Sequence, residues 1–279
     1  MAELAETTEL SGQSLRTILS NMNADVIIAD IQTVNASWRR DNFVHTFNRM
    51  YYILEGEGRI EVGGDVYYPK PGQLVVMPCN VRQSYSTISD QVYRKYWCHF
   101  TARVGSRDLF DMFRFPVCID VGEPAEVERW FRQLIKRNNS ESPTSILTIR
   151  ASMLQLIGYF VENSLKRVQL PSAPADRMSR VLRYIEEHLD EKITVEHLAG
   201  LVHYHPNYFI RAFHSVFGCS PIQYINRMRL DKARQLLHSD MPIGAISRAV
   251  GIDPHNFAAM FKSCTGFSPR AYRKLLTRK

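Results

Sequence analysis

Two stretches near the end of the chain, 198-LAGLVHYHPNYFIRAFHSVFGCSP-221 and 246-ISRAVGIDPHNFAAMFKSCTGFSP-269, decide how the sequence is read. A shift of 48 residues pairs Val195 with Ile243, Leu198 with Ile246, Val202 with Val250, Phe209 with Phe257 and Phe213 with Phe261. The same shift pairs Gly218 with Gly266, Ser220-Pro221 with Ser268-Pro269, and Tyr224 with Tyr272. Matches so placed, at apolar and turn positions, predict a duplicated helical unit. In the first copy Thr194 caps a helix running through Val202, His203 to His205 form a turn, Pro206 opens a second helix and Gly218 ends it. Phe209 and Phe213, four residues apart, face Leu198 and Val202, which leaves Asn207, Arg211, His214 and Ser215 on the solvent side. That is the layout of a helix-turn-helix suited to a DNA major groove. A plain αα-hairpin in a helical bundle has the same pattern.

Charge separates these readings. Residues 175–279 carry 16 Lys/Arg against 9 Asp/Glu, whereas residues 1–174 carry 19 of each, so the whole formal charge of +7 lies in the last part of the chain. A cationic region of this kind is the footprint of a polyanion partner, duplex DNA first.

Upstream the pattern differs. Between about 26 and 100, short runs such as Met50 to Leu54, Arg59 to Val62 and Gln73 to Met77 alternate with Gly56, Gly58, Gly63-Gly64, Pro71-Gly72 and Pro78. These are strands and turns of an antiparallel barrel or double sheet. Residues 123–138 and 144–168 then read as helices, the second with an apolar stripe of Ile146, Ile149, Met153, Leu156, Ile157 and Phe160. Such a stripe is either core or the face of a partner helix. Gln169 to Ala175, with two prolines, reads as a linker. The fold class is therefore α+β and multidomain, with an antiparallel barrel and linking helices in front and an all-α domain with two helix-turn-helix units behind. The expected division is 1–122, 123–170 and 171–279.

No apolar run reaches transmembrane length, and the acidic start lacks the layout of a secretion signal, so a cytoplasmic protein without membrane partners is expected. Cys79, Cys98, Cys118, Cys219 and Cys264 are widely spaced with no CxxC pair, which argues for free thiols.

The segment from Leu198-Ala199 through Arg229-Leu-Asp-Lys-Ala233 to Leu237, followed by Ile246, Val250-Gly251, Phe257, Phe261-Lys262, Gly266, Ser268-Pro269 and Tyr272-Arg273, resembles the AraC/XylS family of transcription regulators. The resemblance implies seven helices, with two helix-turn-helix units joined by a central helix over about Pro221 to His238. It implies base-reading positions at Asn207, Ile210 and Arg211, with Arg211 placed to pair bidentately with guanine. In the second unit it implies exposed His255, Asn256, Ala259 and Lys262. Two departures stand out there. The spacing from Ile246 to Phe257 is one residue shorter than usual for the family, which predicts a tight turn. Ala259 replaces the arginine, which predicts mainly backbone grip through Lys262 and the helix N-terminus.

Tyr51 to Arg59, Lys70 to Pro78 and Tyr96 to Phe100 are similar to the family's cupin-like sensor barrel. In sugar-sensing relatives the pocket positions fall on Glu55, Tyr85, Lys95 and Trp97. The resemblance thus implies a small-molecule effector, a sugar or glycoside, with Trp97 as a stacking platform and Glu55 and Lys95 as polar partners. The alternative for those two is a surface ion pair. His45 and His99 stand alone, with Gln83 where a cupin histidine often falls, so neither a metal nor another cofactor is expected. The expected protein is a DNA-binding regulator and not an enzyme, the alternative being a cupin-type metal-dependent enzyme with a helical interaction domain. The face of Ile149, Met153, Leu156 and Phe160 is expected to form a homodimer. RNA polymerase is a further partner if the protein is an activator.

Overall fold

The computed structural model describes residues 12–138, 142–164 and 174–276. Most of the expected linker, and the boundary expected at 170/171, lie outside the described residues. In chain order the elements are α1 (Gly12–Leu19), β1 (Met22–Thr33), β2 (Arg39–Phe43), β3 (Asn48–Glu55), β4 (Arg59–Val62), β5 (Asp65–Tyr67), β6 (Gln73–Met77), β7 (Gln83–Ser86), β8 (Arg94–Val104), β9 (Arg107–Asp108), α2 (Leu109–Met112), β10 (Cys118–Asp120), α3 (Pro124–Asn138) and α4 (Ser145–Ser164). Then follow α5 (Pro174–Glu187), α6 (Val195–Leu201), α7 (Pro206–Phe217), α8 (Pro221–Leu236), α9 (Ile243–Ala249), α10 (Pro254–Thr265) and α11 (Pro269–Leu276). Two compact units result: the strands with α2, α3 and α4 form one, and α5 to α11 together with α1 form the other.

In the front unit all ladders are antiparallel. The strands make two separate sheets, β1-β8-β3-β6-β10 (with β9 on β8) and β2-β7-β4-β5, so the expected barrel is an open double sheet among the described residues. Alternation along β3 sorts its side chains. Tyr51 and Ile53 enter the core between the sheets with Ile60, Val75 and Met77. From the neighbouring β8, Tyr96 turns to the other face, where it stacks on Phe131 of α3 and accepts a hydrogen bond from Arg132 Nε at 3.1 Å.

The α4 stripe resolves in favour of core. Met153, Leu156, Ile157 and Phe160 are fully buried and Ile149 nearly so. Phe160 packs edge-on against Phe110 and Phe115. The expected dimer face is therefore the face that covers the sheet, because a half-apolar sheet must bury its outer side against something and α4 is the element supplied.

In the helical unit the duplication holds bond by bond. The Tyr204 amide donates to Ala199 O at 2.9 Å, and the Ile252 amide donates to Ser247 O at 3.0 Å. Gly218 and Gly266 end α7 and α10 in the left-handed region, with φ of 72° and 79°. The connections after α6 and α9 have equal length, so the second turn is not tighter than the first. Both place one residue at positive φ, His203 at 58° and Gly251 at 65°. The second turn is thus not set apart by its length, since Leu198 to Phe209 and Ile246 to Phe257 have the same spacing.

The central helix α8 serves both units. It opens with a Ser220/Gln223 capping box. Tyr224 packs edge-on to Phe213 at 5.5 Å, as Tyr272 does to Phe261 at 5.3 Å. Further along, Leu230, Ala233 and Leu237 join Ile246, Val250, Phe257 and Phe261 in the second core. Arg229 reaches back and donates to the carbonyls of Leu189, at 2.9 Å, and Glu191. The short α1 was not foreseen as a helix of this unit; its Leu15 and Ile18 are buried, and Arg227 donates to Asn21 Oδ1 at 2.9 Å just beyond it.

Candidate functional site

The first candidate surface is the outer side of α7. Phe209, Phe213 and Phe217 anchor its inner side. Asn207, Ile210, Arg211 and His214 are exposed, and Tyr208 is exposed beside them. Ser215 is half-buried and already engaged within the protein. No carboxylate pairs with Arg211 among the described residues, so its fork of donors is free for a base edge.

On α10 the corresponding surface carries His255, Asn256, Ala259 and Lys262, all exposed, while Phe257 and Phe261 face inward. Its N-terminus is not open for a phosphate: Asp253 Oδ1 accepts the His255 amide at 2.8 Å. The expected grip through that helix end is therefore corrected. An acidic cap stabilises the positive helix end and occupies the donor that an anion would use. In α7 the cap is His205, whose Nδ1 accepts the Asn207 amide at a longer 3.4 Å.

The second candidate lies between the sheets of the front unit. The β3–β8 register sets Arg49 opposite His99, Tyr51 opposite Trp97 and Ile53 opposite Lys95, all on one face. Lys95 is 2% exposed, with Nζ 4.1 Å from the Trp38 ring centroid and 3.6 Å from that of Tyr51. Trp38 in turn stacks on Tyr85 at 4.3 Å. Arg49 is also buried; it donates to His99 Nε2 at 3.2 Å and to Gln83 Oε1 at 3.1 Å, and its guanidinium lies over Phe43. Two polar atoms here are buried without a partner among the described residues, Trp97 Nε1 and His45 Nε2.

Burial, with Arg49 adding to it, holds the Lys95 ammonium well below the usual lysine range. His99 is pushed down to about 4, first by burial and then by Arg49, His45 and Lys95. It is therefore neutral near pH 7 and able to accept from Arg49.

Of the pocket residues expected from sequence, Tyr85, Lys95 and Trp97 come together. Glu55 does not: its side chain is 66% exposed and accepts from Arg94 at 2.8 Å. The alternative surface pair of Glu55 with Lys95 is likewise corrected, since Lys95 is interior. His45 and His99 are not isolated either; both stack on Phe47, at 4.5 and 4.7 Å. Among the described residues no group of three or more His, Cys, Asp or Glu is placed to hold a metal ion. Arg49 and Trp38 escaped the sequence reading. The signal for Arg49 was its position two residues before Tyr51, which puts a charge on an inward face.

A double helix-turn-helix unit behind a double-sheet unit with an enclosed polar cluster defines a DNA-binding regulator with a small-molecule domain. Residues 198–275 match the helix-turn-helix domain family, and residues 35–157 match the AraC-like ligand binding domain family. The chain belongs to the AraC family of transcription regulators, and its domains are those of a regulator rather than an enzyme. It is 29% identical over 252 residues to the uncharacterized HTH-type transcriptional regulator YisR of Bacillus subtilis (strain 168), covering 82% of this chain and 83% of that one. To the arabinose operon regulatory protein of Salmonella typhimurium it is 25% identical over 267 residues, covering 88% and 92%. Among solved structures, the C-terminal domain of AraT, a response regulator from Geobacillus stearothermophilus, is 32% identical, with a TM-score of 0.34 and coverage of 36% of this chain and 84% of that one. No described helix is long and apolar enough to cross a membrane.

Proposed function

We propose that this chain controls transcription in the cytoplasm by reading an operator mainly through α7, in response to a small molecule held between the sheets of residues 1–122. The observation that carries this reading is Arg211, exposed and without an acidic partner on a helix whose other side is locked by three phenylalanines. Residues 171–279 are the DNA-binding part, with Asn207, Ile210, Arg211 and His214 at base edges and His255, Asn256 and Lys262 supporting them. The effector carries hydroxyls, as a sugar or glycoside does, and meets Trp97, Tyr85 and Lys95; the similarity to an arabinose operon regulator and the unpartnered Trp97 Nε1 support this.

The protein acts as a homodimer through residues 123–170 and contacts RNA polymerase if it is an activator. Support for the dimer comes from the outer side of α4, where Leu147 and Leu154 are 66% and 43% exposed, with Ala151 and Gly158 beside them in helical register. One sedimentation experiment tests both parts. The free chain should run at dimer mass at micromolar concentration. A labelled promoter duplex should bind with an affinity that falls by about a thousandfold or more between roughly 50 and 200 mM salt. Salt-insensitive binding, or no preference over random duplex, would sink the operator reading, and a monomer would sink the dimer.

A further inference from the structure

The cations of the front unit fall into two sets. Several at the surface pair with acids: Arg39 with Asp41, Arg59 with Glu61, Arg94 with Glu55; others, such as Arg40 and Arg82, stand in water. The two in the interior, Arg49 and Lys95, have none within ion-pair distance among the described residues. Asp30, which pairs with Trp97 in the β1–β8 ladder, is exposed and accepts from the Ile31 amide at 2.8 Å. An ammonium and a guanidinium withdrawn from water without a counter-charge carry a desolvation penalty that persists even after relaxation. The Trp38 and Tyr51 faces return part of that cost and carry no full negative charge. A fold keeps such a deficit where something else supplies the missing charge.

We propose that the effector is a small organic acid with a flat or ring-shaped body, its carboxylate held between Arg49 and Lys95 and its body against Trp38, Tyr85 and Trp97. This rests on the reading of the front unit as the effector site and changes the ligand class from neutral to anionic. A sugar acid satisfies both readings. Arg49 is preset for the task, because His99 and Gln83 fix its guanidinium through two bonds and leave further N–H groups unspent. Among the described residues Lys95 has ring contacts and no hydrogen-bond partner for Nζ, so its donors are uncommitted there. The partnerless Trp97 Nε1 and His45 Nε2 are available to a ring hydroxyl or the second carboxylate oxygen. Burial, with Arg49 adding to it, weakens the charge on Lys95, and an anion beside it is the ligand that restores that charge.

The test is a thermal-shift titration of the full chain with three acids and their neutral counterparts: glucuronate with glucose, galacturonate with galactose, and benzoate with benzamide. At least one acid should raise the melting temperature with an affinity tenfold or more above that of its counterpart. Lys95→Met should lose that response while melting, without ligand, no lower than the parent, since it removes an unpaired charge and keeps the stem. Should Lys95→Met fail to fold, Arg49→Gln serves in its place and should lose the same response. Neutral members acting as well as the acids, or an acid response kept in both variants, overturns the anionic ligand and leaves the effector reading standing. Silence from all six compounds overturns both.

Discussion

In the first helix-turn-helix unit the recognition helix starts at His205 and presents Arg211; in the second it starts at Asp253 and presents Ala259. The inner faces, by contrast, share two phenylalanines at the same spacing, with Phe217 of α7 answered by Thr265 in α10. Phe209 and Phe213 meet at 5.6 Å, Phe257 and Phe261 at 5.7 Å, and each second phenylalanine takes a tyrosine edge-on. Duplication has thus preserved what holds two helices at a fixed angle and released what faces solvent. Packing demands particular shapes at particular spacings, whereas an outward side chain is constrained only by its ligand. Two units with one geometry can therefore divide the work: on the proposed reading α7 supplies the donors for base readout, and α10 offers Lys262 in its last turn while the acidic cap at its other end disfavours a phosphate there.

The largest effects should confirm the sameness. Phe213→Ala and Phe261→Ala each empty a fully buried site and should each lower stability by about 3–5 kcal/mol in urea unfolding. A pair of values differing by more than twofold would break the equivalence of the two cores.

The turns should then separate the copies. A Cβ on Gly251 would lie 2.4 Å from Leu189 O and 2.8 Å from the Asp190 carbonyl carbon, both backbone, at a φ that L-residues already resist. Gly251→Ala should cost about 2–4 kcal/mol from strain and overpacking together. At the equivalent His203 a side chain is already tolerated, so His203→Gly should change stability by less than about 1 kcal/mol. Equal effects in urea unfolding would mean that the α5–α6 loop does not press on the second turn.

The smallest stability effects and the clearest functional ones belong to the outer faces. Arg211→Ala should leave folding unchanged and weaken specific DNA binding by about 1–3 kcal/mol, relaxing preference at one base pair. Ala259→Arg should tighten specific and random duplex alike and steepen the salt dependence by about one unit of slope. Loss of specificity from an α10 change larger than from Arg211→Ala, measured by fluorescence anisotropy on both duplexes, would reverse the division of labour.

The helical unit was legible in the sequence because its contacts are local: Leu198, Val202, Phe209 and Phe213 lie within sixteen residues, and the repeat prints the same spacing twice. The front unit was legible as strands and turns but not as a site. Its interior joins β3 to β8, so Arg49 and His99 meet across a separation of 50 residues that no window of sequence spans. Glu55 and Lys95 illustrate the loss. Both looked like pocket residues by resemblance, yet a register irregularity between Ile53 and Glu55 leaves the glutamate at the strand end, paired with Arg94.

The same distinction governs α4. Its apolar stripe dictated a helix with one buried side, since residues three and four apart share a face whatever surrounds them. Whether that side met a second copy or its own sheet was a tertiary matter, decided by the need of the β1-β8-β3-β6-β10 sheet for a cover. By itself the sequence determined the two helix-turn-helix units, the concentration of positive charge on them and the change from strands to helices, all functions of order along the chain. Only the tertiary structure decided which cations are left without acids, because that depends on which strands become neighbours and which surfaces water can no longer reach.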